Sequence, residues 1–341
     1  MKKTLVRGSR GFSLVELMIA IVLGLVVMGG VISIFVANRQ AFRVSENMAH
    51  VQENARVAFE LLARDLREAG GNPCGTRQIA NTLNNSANLW WANWAAGSVR
   101  GFENSAGGDL ATAIVPVGGA TGNRVATTDA ILLINGTAIE GLNISSHDPV
   151  AAQFKLNLNN PGINTGDVIV ACDAYSAAIF QVTNANQANG TIVHNTGGGV
   201  PGNCTKGLGF PTLCTPNGTG KTFENGGFIV RLSSAFWYIG NNDRGGRSLF
   251  RTSVSGTAVP QTDEIVEGVQ DMQLEYLTQD NAGVLAPNYV LANTIASWAQ
   301  GAFPRVTAVR MRITFVSNEA VGTNQQVLSR TFIDVVDLRN L

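Results

Sequence analysis

An apolar run near the N-terminus constrains this chain more than any other feature. Residues 12–37 form 26 consecutive positions whose only ionisable side chain is that of Glu16. An α-helix rises about 1.5 Å per residue, so this run reaches roughly 39 Å and exceeds a hydrocarbon core of about 30 Å. The sequence therefore predicts a membrane-spanning helix that carries one carboxylate near its start.

Positive charge lies on one side of the run. Four cations precede it without any acidic residue: Lys2, Lys3, Arg7 and Arg10. Because positively charged flanks stay in the cytoplasm, we expect the N-terminus there and everything after Arg39 across the membrane. A cleaved secretory signal is an alternative, but its apolar region is normally about 7 to 15 residues and ends at an A-x-A-like site. The stretch after Val36 offers no such site.

The residues around Glu16 carry a more specific signal. Residues 11–19 read G-F-S-L-V-E-L-M-I, a string that resembles the processing site of type IV pilins and type II secretion pseudopilins. The resemblance implies that a prepilin peptidase cuts between Gly11 and Phe12 and methylates the new Phe12 amine. Glycine suits the position before the cut, because a residue without Cβ lets the enzyme approach the backbone closely.

The resemblance also implies a role for Glu16. A carboxylate at mid-membrane costs about 2.5 to 3.5 kcal/mol on insertion scales, and such a residue is functional by default. In pilins its partner is the cationic N-terminal amine of a neighbouring subunit, so we expect Glu16 to act in filament assembly. Tip pseudopilins of the K-type commonly lack this glutamate, which places this chain beneath another subunit. The alternative is a carboxylate that reaches back to the headgroups.

The helix is predicted to continue beyond the apolar run. Apolar residues recur there at steps of three and four, as on one face of an amphipathic helix: Val44, Met48, Val51, Ala55, Phe59, Leu62 and Leu66. We expect one helix from about residue 12 to about residue 68, ended by Gly70, Gly71 and Pro73. Its outer stripe predicts a surface onto which a sheet packs.

Further strings resemble the PilW family of minor pilins. They are R-D-L-R-E-A-G-G-N-P-C at 64–74, G-D-V-I-V at 166–170 running into Cys172 and Asp173, G-V-Q-D-M-Q-L-E-Y at 268–276, and V-D-L-R-N at 336–340. The resemblance implies an α+β, type IV pilin-like fold. In this fold a long N-terminal helix, with a transmembrane half and an amphipathic half, packs on an antiparallel β-sheet domain with loop insertions.

This fold predicts four segments along the chain. They are a leader peptide at 1–11, a transmembrane segment at 12–38, its amphipathic continuation at 39–70, and a periplasmic or extracellular β-rich domain at 71–341. The last segment, at about 270 residues, is long enough to bury its own core. β-Branched and aromatic runs predict strands at 130–135, 167–171, 178–183, 191–194, 228–239, 248–253, 269–277, 305–316 and 327–336, with a hairpin turn at 242–246.

Four cysteines follow the predicted span: Cys74, Cys172, Cys204 and Cys214. That compartment is oxidising and the even count suits disulfides, for which three pairings exist. Cys204 and Cys214 bracket a short loop and are the expected local pair, which leaves Cys74 to tie the helix end to the strand near Cys172. We expect no metal site, because the three histidines (His50, His147 and His194) are scattered without ligand spacing.

Patterns typical of catalysis are absent from the sequence. The string G-T-G-K-T at 218–222 lacks the first glycine of a phosphate loop, since Thr215 stands there, and no helix is predicted after it. Neither G-x-S-x-G nor H-E-x-x-H occurs. We therefore expect no catalytic residues, no cofactor and no small-molecule substrate.

Two further features bear on binding. Charged residues make up only 14% of the chain, and removal of the basic leader leaves it mildly acidic, which argues against a strong electrostatic grip on nucleic acid. Trp90, Trp91 and Trp94 either face a partner on an outward loop or fill the edge of the domain core, and we favour the core.

The resemblance implies a structural function. The chain is predicted to be a minor pilin in the inner membrane, with its C-terminal domain in the periplasm and a place in the surface pilus after assembly. Its partners would be the prepilin peptidase, other minor pilins and the major pilin, and its role would be to prime or cap a pilus used in adhesion and twitching motility. The alternatives are a tip-displayed adhesin or DNA-binding pilin, and a J-type pseudopilin of type II secretion.

Overall fold

A single long helix opens the fold. The computed structural model describes residues 11, 13–71, 79–104, 109–322 and 324–339, and α1 runs through Leu14–Glu68 without a break, as predicted. Gly70 follows in the left-handed conformation at φ 71°, which a residue without Cβ adopts at little cost and which commonly ends helices. The Gly70 N–H then donates to the Ile134 carbonyl at 2.9 Å, so the helix end is bonded to a strand.

Fourteen strands and a second, short helix are found in the described part of the chain. They are β1 (Ile79–Asn81), β2 (Val99–Phe102), α2 (Leu110–Ile114), β3 (Ala130–Asp148), β4 (Gln153–Leu156), β5 (Val168–Cys172), β6 (Ala177–Gln181), β7 (Asn184–Asn186), β8 (Thr191–Val193), β9 (Phe228–Asn241), β10 (Arg247–Ser255), β11 (Gln261–Glu267), β12 (Val269–Gln279), β13 (Arg305–Val316) and β14 (Ser329–Asp337). Three single 3₁₀ turns lie at Ser86–Asn88, Trp94–Ala96 and Ala292–Thr294.

The strands form two sheets. The larger has the order β1-β6-β5-β9-β3-β4-β8-β7, with β10 joining β9 to β11 and β2 pairing with β3; the smaller is β12-β13-β14. All pairs are antiparallel except β1 with β6, which is parallel. The predicted α+β class is confirmed, but the sheet is divided in two and one edge pair is parallel. The parallel strand, β1, is a three-residue edge strand that pairs through its backbone, so its side chains carry little signal in the sequence.

Every predicted strand is present, and the predicted turn at 242–246 connects β9 and β10 as a hairpin. β3 extends thirteen residues beyond the predicted end at Asn135. Residues 136–138 pair with β9 and the residues from Ile144 onward pair with β4, and the polar and glycine residues among them break up the strand signal. Five strands were missed: β1, β2, β4, β7 and β11. Each is short or largely polar, so neither alternation nor an apolar run marks it.

The described chain divides into two compact units. One holds the helix as far as His50 together with Ser317–Leu328, and the other holds Val51–Val316 with Ser329–Leu341. The core of the second unit is built on β3, β5, β6 and β9, whose inward side chains are almost fully buried. Continuous burial along β5 and β6, five residues each, shows that both faces of these strands are covered.

Candidate assembly site

Glu16 lies in the first turn of a capped helix. Ser13 precedes α1, and its Oγ accepts a hydrogen bond from the Glu16 backbone N–H at 3.1 Å. Serine followed three residues later by glutamate is the capping-box sequence, and a serine cap is worth about 1 kcal/mol to a helix. A carboxylate in the first turn also interacts favourably with the positive end of the helix dipole. The S-x-x-E spacing of Ser13 and Glu16 marks this N-cap in the sequence, although the N-cap was not among the predictions.

The predicted processing site is described only in part. Gly11 is exposed, and a Cβ at that position would meet no atom within 4 Å. Phe12 lies outside the described residues. The roles of Gly11 and Phe12 in cleavage and methylation, and that of Glu16 in assembly, therefore stay predictions.

From Leu14 to Phe35 the helix is apolar on every face. Its large apolar side chains are 54–74% exposed, and an 18-residue window of mean hydropathy 2.8 is 0% buried within the chain. Glu16 and Ser33 are the polar exceptions, and the Ser33 Oγ donates to the Gly29 carbonyl at 2.9 Å, which satisfies the hydroxyl inside the helix. A helix that is apolar all round needs a membrane or other helices as cover. This surface supports membrane anchoring.

In the same unit, Ser317–Leu328 contacts the helix turns that follow the apolar run. Gln40 Nε2 donates to the Val321 carbonyl at 2.7 Å, and Arg43 forms an ion pair with Glu319 at 2.8 Å. Asn47 Oδ1 accepts from the Glu319 N–H at 3.4 Å. The hydrogen bond and charge of Arg43 lower the pKa of Glu319. These contacts support the helix where it leaves its apolar stretch.

In the second unit, the amphipathic part of the helix is buried along one stripe. Val51, Ala55, Leu62 and Leu66 are at most 3% exposed, together with Ala58, and Phe59 packs against Phe315 of β13 with ring centroids 6.5 Å apart. The predicted stripe therefore packs on a sheet, as expected.

A buried carboxylate fixes this part of the helix to the larger sheet. Asp65 Oδ2 accepts hydrogen bonds from Trp237 Nε1 at 3.0 Å and from Arg251 Nε at 2.9 Å. The Arg251 guanidinium also lies 5.7 Å from the Trp237 ring centroid. Trp237 is on β9 and Arg251 on β10, so one side chain contacts two neighbouring strands. This contact gives the aspartate of the R-D-L-R string a physical role that the sequence alone did not reveal.

One predicted disulfide is confirmed. Cys204 and Cys214 are bonded, with an S–S distance of 2.07 Å. Cys172 is also disulfide-bonded, and it lies fully buried on β5. Cys74 lies outside the described residues, so its predicted tie to Cys172 stays a prediction.

Two of the three histidines lie side by side. His147 and His194 are 47 residues apart in the sequence, yet their Nε2 atoms are 3.0 Å apart. The Phe223 N–H donates to His147 Nδ1 at 3.1 Å, so a neutral His147 carries its proton on Nε2 and donates it to His194. The pair packs among Phe154, Phe180 and Phe223. Burial lowers the pKa of His147 to about 4 and that of His194 to about 3.

The remaining candidates are structural. Trp91 and Trp94 are 5% and 2% exposed in a core cluster with Ile134, as the core interpretation predicted. Lys221 of the phosphate-loop-like string forms an ion pair with Asp173 at 2.7 Å, and the described chain after it runs as loop into β9. Within the described ranges, no group of three or more His, Cys, Asp and Glu side chains is placed to hold a metal ion.

The helix and the sheets together define a class, which is an α+β protein of pilin-like architecture. Two family models then match particular ranges: type IV pilus-assembly protein W matches residues 236–337, and the prokaryotic N-terminal methylation motif matches residues 6–32. The first range runs from β9 to β14, and the second contains Gly11, Phe12 and Glu16. The resemblance inferred from the sequence is confirmed by these matches, and the chain is similar to type IV pilus-related pilins. Comparisons with curated proteins and with solved structures found no match.

Proposed function

We propose that this protein is a minor pilin that assembles with other minor pilins to prime or cap a type IV pilus, without catalytic activity. The observation that carries the proposal is the apolar, uncovered helix surface from Leu14 to Phe35, which begins at a capped turn containing Glu16. Such a surface has no use in a free domain in water. It suits a helix that moves from the bilayer into a bundle of equivalent helices.

Processing would prepare the helix for this transfer. The prepilin peptidase would remove residues 1–11 and methylate the amine of Phe12, as the match to the methylation motif at 6–32 supports. The positive leader would keep this end in the cytoplasm. The domain at 71–341 would then lie in the periplasm, with 12–38 in the inner membrane and 39–70 as the amphipathic continuation.

Glu16 would select the position of the subunit in the bundle. A carboxylate inside lipid costs a few kcal/mol, and the cationic Phe12 amine of a neighbouring subunit would offset that cost in the filament. A subunit inserted one position too high or too low would leave the carboxylate without its partner. The partners of this chain would therefore be other minor pilins and the major pilin.

No observation in the described chain favours the adhesin alternative over assembly. Two of the tryptophans that could have faced a partner on an outward loop, Trp91 and Trp94, are buried in the core, so they offer no exposed binding surface. We therefore propose only the assembly function.

Two measurements test the proposal. Mass spectrometry of the membrane-extracted protein should give a chain that begins at methylated Phe12. Glu16→Gln should abolish surface filaments in cells, measured in the sheared fraction, while Glu53→Gln on the exposed face of the same helix should leave them unchanged. A chain that still begins at Met1, or filaments that are unaffected by Glu16→Gln, would contradict the proposal.

A further inference from the structure

A cavity lies between β2 and the segment that leads into β13. Its walls are residues 97–99 and residues 297–306. Two backbone contacts hold the walls together. The Gln300 N–H donates to the Ala95 carbonyl at 3.1 Å, and Gly97 lies so close to the other wall that a Cβ would be 1.9 Å from the Trp298 carbonyl oxygen. The cavity therefore has walls that the backbone itself fixes.

The cavity has a buried floor and an exposed mouth. Val99 and Val306 are 3% and 6% exposed, whereas Phe303 and Pro304 are exposed. Its volume is about 50 Å³, on a scale on which one water molecule needs about 10–15 Å³. It therefore has room for the end of one side chain and not for a large ligand.

Two residues of the walls have a buried side-chain oxygen that needs a partner. Neither the Ser98 Oγ nor the Gln300 Oε1 forms a hydrogen bond within the described residues, and Ser98 is 1% exposed. Buried polar groups are nearly always hydrogen-bonded, so such exceptions require an explanation. A hydroxyl group that enters the cavity would accept a hydrogen bond from Ser98 and donate one to Gln300.

The rest of the lining is largely apolar and partly aromatic. Trp298 and Phe303 both line the cavity, and the Trp298 ring makes an edge contact with Tyr276, with centroids 5.0 Å apart. Arg305 is also in the wall, but its Nε and Nη2 already donate to Gln279 Oε1 at 3.0 and 2.6 Å. Aromatic walls with two oxygens to satisfy favour an aromatic ring that carries a hydroxyl.

The cavity lies beside the C-terminal end of α1. The Ile134 N–H donates to the Ser98 carbonyl at 2.7 Å, and the Ile134 carbonyl accepts from the Gly70 N–H at 2.9 Å. Two hydrogen bonds therefore connect the cavity wall to the residue that ends the helix. The apolar stretch Leu14–Phe35 belongs to the other end of α1.

We propose that this cavity receives the hydroxyl end of a tyrosine side chain from another pilin, the subunit above this chain in the pilus. The inference rests on the proposed function, because the sequence resemblance implies a subunit in that position. The ring would pack against Trp298 and Phe303, and its hydroxyl would bond to Ser98 and Gln300. A tyrosine anchored in a small pocket is a common energetic centre of a protein interface. A contact at this end of α1 keeps the helices of both subunits parallel, as anchoring in one membrane requires.

Binding of p-cresol, the tyrosine side chain as a free molecule, tests the cavity. In NMR spectra of the purified full-length protein in detergent, p-cresol should shift the indole N–H signal of Trp298 with a millimolar Kd. The signal is assigned with Trp298→Phe. The indole signal of Trp237, which is bonded to Asp65, should not move. A titration without a saturable shift of the Trp298 signal would overturn the proposal.

Ser98→Ala tests the role of the hydroxyl. It should weaken p-cresol binding about tenfold, the effect of one lost hydrogen bond, and leave the binding of toluene, which has no hydroxyl, unchanged. The melting temperature should stay the same, because the Ser98 Oγ has no partner within the described chain. Equal weakening of both compounds would contradict the proposed contact.

Photocrosslinking in cells tests the occupant. Phe303 is 44% exposed, and p-benzoylphenylalanine in its place should crosslink to another pilin, next to a tyrosine identified by mass spectrometry. Ala302→Trp should fill the cavity and abolish p-cresol binding and surface filaments with an unchanged melting temperature. Ala188→Trp, at an exposed position of the turn between β7 and β8, is the matched control and should change neither. A link from position 303 only to a second copy of this chain, or only to a protein that is not a pilin, would overturn the proposal.

The two proposals fail in different ways. A processed protein that supports filaments, gives no link at position 303 and tolerates Ala302→Trp would overturn the cavity contact alone. An unprocessed protein, or filaments that are unaffected by Glu16→Gln, would overturn the proposed function, while the p-cresol titration would still report on the cavity.

Discussion

The two halves of α1 use apolar residues in opposite ways. Between Leu14 and Phe35 the large apolar side chains surround the helix and are more than half exposed, whereas between Val51 and Leu66 one stripe of the helix is covered and its Val51, Leu62 and Leu66 are almost fully buried. One continuous element therefore has two environments. The apolar side chains of the first half need cover from outside the chain, whereas those of the second half are covered by the chain's own sheets.

This difference separates assembly from folding. Substitutions in the first half should change what the protein joins and leave its domain intact, and substitutions in the second half should unfold the domain. All five tryptophans belong to the second unit, so their fluorescence reports on that unit alone: Trp90, Trp91, Trp94, Trp237 and Trp298.

The largest effect should come from truncation of the buried stripe. Leu66 is 0% exposed, so Leu66→Ala should lower the free energy of unfolding by about 2 to 5 kcal/mol through lost burial and a cavity. Leu23 is 60% exposed, and Leu23→Ala should leave it unchanged. Denaturant titration in detergent, followed by tryptophan fluorescence, measures both. Equal effects of the two variants would abolish the distinction between the halves.

The next effect concerns the attachment of the second half. Asp65→Ala should cost about 2 to 3 kcal/mol, because it leaves Trp237 Nε1 and Arg251 without their shared acceptor. Glu60→Ala is a matched control on the same helix, since the Glu60 side chain is 64% exposed and should be dispensable. If Asp65→Ala were as stable as the wild type, the aspartate would not hold the helix to the sheet.

A smaller and pH-dependent effect should come from the histidine pair. Both imidazoles have their pKa lowered by burial, to about 4 and about 3. Below about pH 6.5 the unfolded chain binds protons at these histidines while the folded chain does not. The free energy of unfolding is therefore at its full value above about pH 6.5 and falls as the pH drops toward about 4. The slope is about 1.4 kcal/mol per pH unit for each imidazole.

Other charges near the pair modify this slope. Asp148 raises the pKa of His147, whereas Lys221 lowers it, and Lys206 lies near His194. Burial raises the pKa of Asp129 to about 6. This carboxyl opposes the loss of stability at low pH, because the folded state binds its proton before the unfolded state does.

The difference in the free energy of unfolding between wild type and His194→Gln, measured at pH 7 and pH 5, isolates the contribution of the histidine pair. His50→Gln, at an exposed position of α1, is the matched control for the substitution itself.

The smallest effect should come from the ion pair beside the apolar half. Arg43 and Glu319 have side chains that are 47% and 56% exposed, and solvent and salt screen such pairs. Glu319→Gln should therefore leave the tryptophan-detected unfolding curve unchanged. A clear shift of that curve would show that the helix turns around Arg43 contribute to domain stability.

The sequence predicted the features that depend on periodicity. The helix bounds, the buried stripe ending at Leu66, and the strands β9, β10, β12, β13 and β14 follow from spacing and from β-branched runs, because each repeats over many residues. The helix end at Gly70 was also predictable from the local sequence, because glycine readily takes the left-handed conformation that follows a helix.

Features that depend on distant pairs could not be predicted. Asp65 lies 172 residues from Trp237 and 186 from Arg251, and the two histidines meet only because β3, β4 and β8 pair. The second part of β3 was missed for a related reason, since its polar residues become a strand through their partners. The N-cap at Ser13 differs from these long-range features, because Ser13 and Glu16 are three residues apart and their spacing could have been recognised in the sequence.

The junction after α1 has a mechanical consequence. The Gly70 N–H bonds to Ile134 and the Gly136 N–H bonds to the Gly71 carbonyl, at 2.9 and 2.8 Å. A force applied along the helix axis is therefore transmitted to β3 through the hydrogen bonds of Gly70 and Gly71. β3 is in turn hydrogen-bonded along most of its length to β9. The load therefore enters the domain at the longest of its described strands and is shared by many hydrogen bonds at once.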